Sequence, residues 1–114
     1  MIKNSTKNTI IASKTKLCKS LWAMASGLMF TSPIKDKGLV FFMPKFESVS
    51  FHMCFVFYSI DVIFLDDKMK VVELKENFKP FTFYKTKKSV KYAVEVSKGT
   101  IKKSKTKLRD LVVF

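Results

Sequence analysis

Short apolar runs separated by turn-forming residues are the feature that most constrains the fold of this chain. The runs are rich in Val, Ile and Phe, and several alternate large apolar side chains with polar ones. A period of two is typical of β-strands, and no run reaches the roughly 18 uncharged residues that a membrane helix needs. The sequence therefore predicts a mainly β fold that does not cross a membrane.

About seven short strands are predicted, and the pattern is strongest in residues 49–58. Every odd position of this segment is large and apolar, so one face of the strand is expected in the core. Residues 60–65 and 71–74 flank the turn Asp66–Met69 and are predicted to pair as a hairpin. Further strands are expected at residues 8–12, 38–43, 81–84, 90–96 and 111–114.

One N-terminal amphipathic helix is predicted where the apolar spacing changes to a helical period. Its stripe consists of Leu17, Leu21, Met24 and Leu28. Ser13 or Thr15 is expected to cap the start of this helix, and Gly27 to end it. With a short helical turn at residues 99–105, these elements predict a compact antiparallel β-sandwich or barrel-like domain.

The formal net charge of +13 lies at the two ends of the chain. Residues 1–19 carry five Lys and no acid, whereas residues 20–84 carry seven Lys against seven acids. Residues 85–114 carry nine Lys and one Arg against two acids. We expect a basic segment at residues 1–7 and a single domain at residues 8–114, because no linker interrupts the latter.

The basic C-terminal third is a candidate nucleic-acid contact, because clustered cations attract polyanions. The candidate residues are Lys85, Lys87, Lys88, Lys91, Lys102, Lys103, Lys105 and Lys107. Phe83, Tyr84 and Tyr92 lie among them and form a potential stacking platform for single strands. Base-specific recognition is disfavoured, since Arg is the side chain that makes bidentate hydrogen bonds to base edges. The chain has 21 Lys and one Arg. Weak, largely nonspecific nucleic-acid binding is therefore one alternative function.

The preferred hypothesis is a noncatalytic binding module for a small ligand or a protein segment. The even positions of residues 49–58 form a mixed face, neither fully apolar nor fully charged. The candidate ligand-binding residues are Ser50, His52, Cys54, Tyr58 and Asp61. Asp61 lies inside an apolar strand, where its carboxylate needs hydrogen bonds. We expect it to accept them from the backbone of the turn at residues 57–59, or else to anchor a pocket.

No catalytic residue, cofactor or metal ligand is predicted. His52 and Cys54 share one strand face, but only Cys18 remains as a third soft ligand. No strand-turn-helix elbow surrounds Ser50, which disfavours a hydrolase triad with His52 and Asp61. An enzyme is therefore the least favoured class. Two cysteines without a pairing framework predict reduced thiols and a cytoplasmic location.

Five segments follow one another in a recognisable order, namely GLMF, GLVFFM, SFHMCFVFYSIDVIFLD, KVVELKEN and KYAVEVSKGTIKKSKTKLRD. Their order resembles the domain of unknown function 192 family in its shorter archaeal form. The family implies a compact, mainly antiparallel β fold and no established activity. Lys105 and Arg109 stand where the family commonly places Gly, so positive φ angles there would strain the backbone.

Overall fold

The computed structural model describes residues 1–19, 34–53 and 55–114 of the chain. Within these ranges it contains ten β-strands and one short α-helix. The strands are β1 (Ile2–Asn4), β2 (Thr9–Ala12), β3 (Lys14–Cys18), β4 (Lys37–Glu47), β5 (Ser50–His52), β6 (Ile60–Leu65), β7 (Val71–Phe78), β8 (Phe83–Lys85), β9 (Val90–Ser97) and β10 (Val112–Val113). The helix, α1, is Thr100–Lys103. The mainly β prediction is confirmed.

A five-stranded sheet in the order β3-β4-β9-β6-β7 forms the centre of the fold. Its pairs are antiparallel except that β3 runs parallel to β4. The sheet ends at β3 on one side and β7 on the other, so the barrel alternative is wrong. A three-stranded sheet, β10-β1-β2, and a two-stranded sheet, β5-β8, are separate from it.

The central sheet is covered on both faces. One face carries Val40, Ile63 and Val94, which pack with residues of the three-stranded sheet and α1. The other face carries Phe41 and Phe64, which pack with the β5–β8 layer. Strands β6 and β9 are therefore buried on both sides, which explains why β6 reads as a continuous apolar run broken only by Asp61.

Most of the predicted strands are confirmed. The predicted hairpin forms between β6 and β7, with Leu65 opposite Val71. Asp66 closes its turn, because one oxygen of its side chain accepts hydrogen bonds from the N–H groups of Lys68 and Lys70. Strands β2, β4, β8, β9 and β10 lie at the other predicted positions, although β4 continues through Pro44 to Glu47.

The strand predicted at residues 49–58 is wrong beyond His52. The backbone of Phe55 adopts a left-handed conformation, with φ of 58°, and a turn joins the Met53 carbonyl to the Val56 N–H. The alternation therefore shifts by one residue, since Val56 is buried while Phe55 and Phe57 are exposed. A simple period of two could not signal this change of phase.

The first residues of the predicted N-terminal helix form a strand instead. Residues 14–18 are β3, which is held by its ladder with residues 37–41 of β4. The predicted helical stripe beyond Leu17 lies outside the described residues. Residues 1–7, predicted as a basic segment, contain β1, which pairs with both β2 and β10.

Helix α1 ends in a Schellman motif. The N–H of Thr106 donates to the Ile101 carbonyl, and the N–H of Lys105 donates to the Lys102 carbonyl. Lys105 adopts φ of 58° at the position where such motifs prefer Gly, and Arg109 follows with φ of 74°. The positive φ angles anticipated at these two family glycine positions are therefore present.

Glu95 is a buried acid on the central strand β9. It is 7% exposed, and its cross-strand neighbours are Leu39 and Val62. Burial raises the pKa of its carboxyl from 4.5 to about 8. Burial also raises the pKa of the Cys18 thiol, to which Glu95 adds a smaller electrostatic contribution. The core of this sheet therefore favours a protonated Glu95 at neutral pH.

The raised pKa of Glu95 predicts that the free energy of unfolding falls as pH rises. The folded state keeps the proton up to about pH 8, whereas the unfolded carboxyl loses it near 4.5, so stability declines between these values. The difference between a pKa of 4.5 and one of about 8 corresponds to a loss on the order of 5 kcal/mol, most of which falls between pH 5 and pH 8.5. Urea unfolding at pH 5 and pH 8.5 measures it.

We expect Glu95→Gln to lose less stability between the two pH values than the wild-type protein does. Glu76→Gln is the control, because Glu76 is exposed on β7 and its removal should leave the wild-type pH dependence unchanged. The same pH dependence in Glu95→Gln and wild type would contradict the assignment.

Candidate functional site

Asp61 binds three backbone N–H groups from distant parts of the chain. One oxygen of its carboxylate accepts from Asn77 at 3.0 Å, and the other accepts from Gly99 at 3.1 Å and Ile101 at 3.0 Å. Asp61 is 1% exposed. Its carboxylate therefore joins β6 to the end of β7 and to the start of α1.

The expected partners of Asp61 in the turn at residues 57–59 are replaced by these three donors. Two of the donors lie where the backbone turns, since Asn77 has φ of 51° and Gly99 has φ of 89°. An enclosed carboxylate with three N–H partners is a structural anchor for these turns.

Ser50 and His52 lie on the outward face of the two-stranded sheet. In the antiparallel register, Ser50 faces Lys85 and His52 faces Phe83. The intervening pair, Phe51 with Tyr84, packs against the core instead. Ser50 and His52 are therefore exposed beside an exposed phenylalanine and a lysine. Tyr58 is half-buried against the core, and Cys54 lies outside the described residues.

Three exposed phenylalanines lie on the two loops next to this sheet, at residues 55–59 and 79–82, and a fourth, Phe83, begins β8. The exposed fractions are 47% for Phe55, 62% for Phe57, 53% for Phe81 and 77% for Phe83. Phe81 contacts Phe55 and Phe57 edge to face, with ring centroids 6.2 and 5.4 Å apart. We call Phe55, Phe57, Phe81 and Phe83 the aromatic surface.

Backbone hydrogen bonds hold the two segments of the aromatic surface together. The N–H of Met53 donates to the Thr82 carbonyl at 2.9 Å, and the N–H of Phe81 donates to the Met53 carbonyl at 2.8 Å. Phe55 and Phe81 both have φ of 58°. A bulky residue in the left-handed region costs about 1–2 kcal/mol, so local stability does not explain why these positions carry Phe.

Lysines flank the aromatic surface on the chain that leads through β8. Lys79, Lys85, Lys87 and Lys88 are all exposed. The Glu73 carboxylate accepts hydrogen bonds from the backbone N–H groups of Lys87 and Lys88, so it fixes the path of this segment through its backbone. The exposed lysine side chains therefore extend from an ordered backbone.

The other residues of the proposed stacking platform are not exposed in the same way. Tyr84 stacks on Phe64, and its hydroxyl donates to Glu73. Burial and this hydrogen bond raise the pKa of Tyr84 to about 12. Tyr92 packs between Phe42 and Phe114, and the Lys91 ammonium donates to the Met43 carbonyl. Phe83 alone of the three predicted aromatics is exposed.

The remaining predicted lysines form a second exposed group on α1 and the loop after it. This group consists of Lys102, Lys103, Lys105 and Lys107. A cavity of about 490 Å³ lies beside it, between β2 and α1, and contains none of the five candidate ligand-binding residues. Its lining includes Ile10, Asp36, Ser97, Lys98 and Lys103.

The described residues do not bring Asp61 together with Ser50 and His52. Asp61 lies on β6 with both oxygens bonded to the backbone, whereas Ser50 and His52 lie on β5 of another sheet. Within residues 1–19, 34–53 and 55–114, no three His, Cys, Asp or Glu side chains are grouped as metal ligands. No helix in this part of the chain is long and apolar enough to span a membrane.

Sequence reasoning missed Phe55, Phe57 and Phe81 as surface residues. The alternating pattern predicts Phe55 and Phe57 in the core and Phe81 in a short strand. The available signal was the number of Phe residues, which is larger than one strand face can bury. That number does not show which rings remain exposed at the surface.

Comparison with known proteins places the sequence in a family. Residues 2–114 match the family model of domain of unknown function 192, described as uncharacterised ACR. A UPF0127 protein of Thermococcus sibiricus is 38% identical over 103 residues, covering 89% of this chain and 66% of that protein. A UPF0127 protein of Pyrococcus horikoshii is 33% identical over 114 residues, covering 98% and 96%. The resemblance seen in the sequence is confirmed.

The fold is also similar to a crystal structure of a protein of unknown function from Novosphingobium aromaticivorans. The two share a TM-score of 0.82 at 21% sequence identity, over 88% of this chain and 74% of that chain. This likeness concerns the fold alone. Neither the family nor this neighbour indicates a catalytic function.

Asp61→Asn is predicted to lower the free energy of unfolding by about 2–4 kcal/mol, because an amide has one accepting oxygen and leaves at least one buried N–H unpaired. Urea unfolding gives the magnitude. Amide hydrogen exchange at Asn77, Gly99 and Ile101 should accelerate in the variant.

Asp66→Asn is the matched control. Asp66 also accepts two backbone N–H groups, but through a single oxygen that an Asn side chain retains. We expect it to lose less than about 1 kcal/mol. An equal decrease in the free energy of unfolding in the two variants would contradict a larger stabilising role for the three hydrogen bonds of Asp61.

Proposed function

The chain belongs to the uncharacterised domain of unknown function 192 family, and we propose that it is a noncatalytic binding module whose ligand contacts the aromatic surface. The observation that supports this function is the group of four exposed Phe rings, three on hydrogen-bonded loops and one at the start of β8. Clustered exposed aromatics are typical of binding sites, whereas single exposed apolar residues need no explanation.

The backbone of the aromatic surface supports the proposal independently. Phe55 and Phe81 hold the left-handed conformation, which Gly or Asn would adopt at lower cost. Strained backbone that persists on a loop is often associated with function. The buried side chains of Met53 and Val56 anchor the first loop, so the rings are presented from a fixed base.

The candidate residues of the mixed face extend this surface. His52 is the cross-strand neighbour of Phe83, and Ser50 follows on the same outward face. These residues supply polar groups beside the apolar rings, which is the usual composition of a selective site. Asp61 serves the module by holding the backbone below it. A cytoplasmic location remains part of the proposal.

The fluorescent probe 8-anilino-1-naphthalenesulfonate (ANS) tests the aromatic surface directly. We expect the wild-type protein to bind ANS, and the double variant Phe57→Ala/Phe83→Ala to bind it at least about tenfold more weakly, since loss of contact with even one aromatic ring costs about 1.5 kcal/mol. Titration by fluorescence measures both dissociation constants.

Leu108→Ala is the control, because Leu108 is an exposed apolar residue on the loop after α1, outside the aromatic surface. It should bind ANS as the wild type does, and near-ultraviolet circular dichroism should show that all three proteins remain folded. The proposal fails if the wild type does not bind ANS, or if the double variant binds as tightly as wild type.

A further inference from the structure

We infer that the ligand of the aromatic surface is single-stranded nucleic acid, an inference that rests on the proposed function of that surface. The Phe rings present apolar faces, and every nucleobase has a π-face that can stack on them. Duplexes keep their bases stacked internally, so exposed rings offer an advantage only to an unpaired strand.

The charge next to the rings has the sign that a phosphate backbone requires. Lys79 precedes Phe81 on the same loop, and Lys85 follows Phe83 two residues later on the outward face of β8. No Asp or Glu occurs in residues 77–94, and none occurs in residues 48–60 of the partner segment. Cations therefore border the rings without acids from either contributing segment.

The ordered backbone of residues 83–88 also favours binding. The N–H groups of Lys87 and Lys88 are bonded to Glu73, and β8 is paired with β5 along its length. Because the backbone is already fixed, the cost of ordering it on binding is small. Rings and ammonium groups are thus presented on a preformed surface.

The second exposed group of lysines, on α1 and the loop after it, has no aromatic residues in its own segment. Lys102, Lys103, Lys105 and Lys107 are exposed, but no aromatic residue occurs in residues 98–113. Such a surface attracts phosphates of any strand without stacking. The two lysine groups therefore predict different behaviour and provide an internal comparison.

Fluorescence anisotropy with a labelled fifteen-nucleotide oligothymidylate tests the inference. We expect binding at low salt, and weaker binding to a fifteen-base-pair duplex. The double variant Phe57→Ala/Phe83→Ala should lose at least about 5-fold in affinity for the single strand, since each stacked base contributes about 1–3 kcal/mol.

Charge variants separate the two basic surfaces. Lys85→Gln/Lys87→Gln should weaken single-strand binding and make the slope of log affinity against log salt shallower by about 1.4, or about 0.7 for each phosphate that is no longer neutralised. Lys102→Gln/Lys103→Gln is the matched control and should change the slope less.

Four outcomes overturn the inference. They are no binding of the single strand by wild type, no preference for the single strand over the duplex, unchanged affinity in the Phe variant, and equal effects of the two Lys variants. Tighter, Phe-dependent binding of a poly-glutamate peptide would instead identify an acidic protein segment as the partner. ANS binding that depends on Phe57 and Phe83, without oligonucleotide binding, refutes this inference and leaves the proposed function standing.

Discussion

The three hydrogen bonds on the Asp61 carboxylate are the interaction on which this fold most depends. They fix β6, the end of β7 and the start of α1 relative to one another. Ile60, next to Asp61, pairs with Phe78, next to Asn77. Both loops of the aromatic surface leave the central sheet at this point, one before Ile60 and one after Phe78. An anchor within the sheet therefore holds the base of the proposed binding surface.

A buried carboxylate that accepts hydrogen bonds from three backbone N–H groups can hold irregular backbone segments in place. The donors at Asn77 and Gly99 lie at positive φ angles, where no regular ladder could pair them. The carboxyl of Glu95 is also buried, but its cross-strand neighbours are apolar. Burial raises its pKa to about 8. One buried acid thus holds three backbone segments through its hydrogen bonds, whereas burial of the other favours its neutral form.

Regular parts of the fold could be predicted from the sequence, and irregular parts could not. The β6–β7 hairpin and β9 follow from apolar runs with turn residues between them. The left-handed residue Phe55 changes which side chains face the core, and nothing in the local pattern marks it. Strand β3 forms where helical spacing was present, because pairing with β4 outweighs local preference. The partners of Asp61 lie 16 to 40 residues away, beyond the range of any local pattern.

The central claim is that the aromatic surface binds single-stranded nucleic acid, and amide chemical shifts locate such a contact residue by residue. Titration of ¹⁵N-labelled protein with unlabelled oligothymidylate is the most direct measurement. The account predicts that the amides of Phe57, Phe81, Phe83 and Lys85 shift progressively and together. Shifts confined to residues 98–109 would contradict it, because the strand would then be held by charge alone.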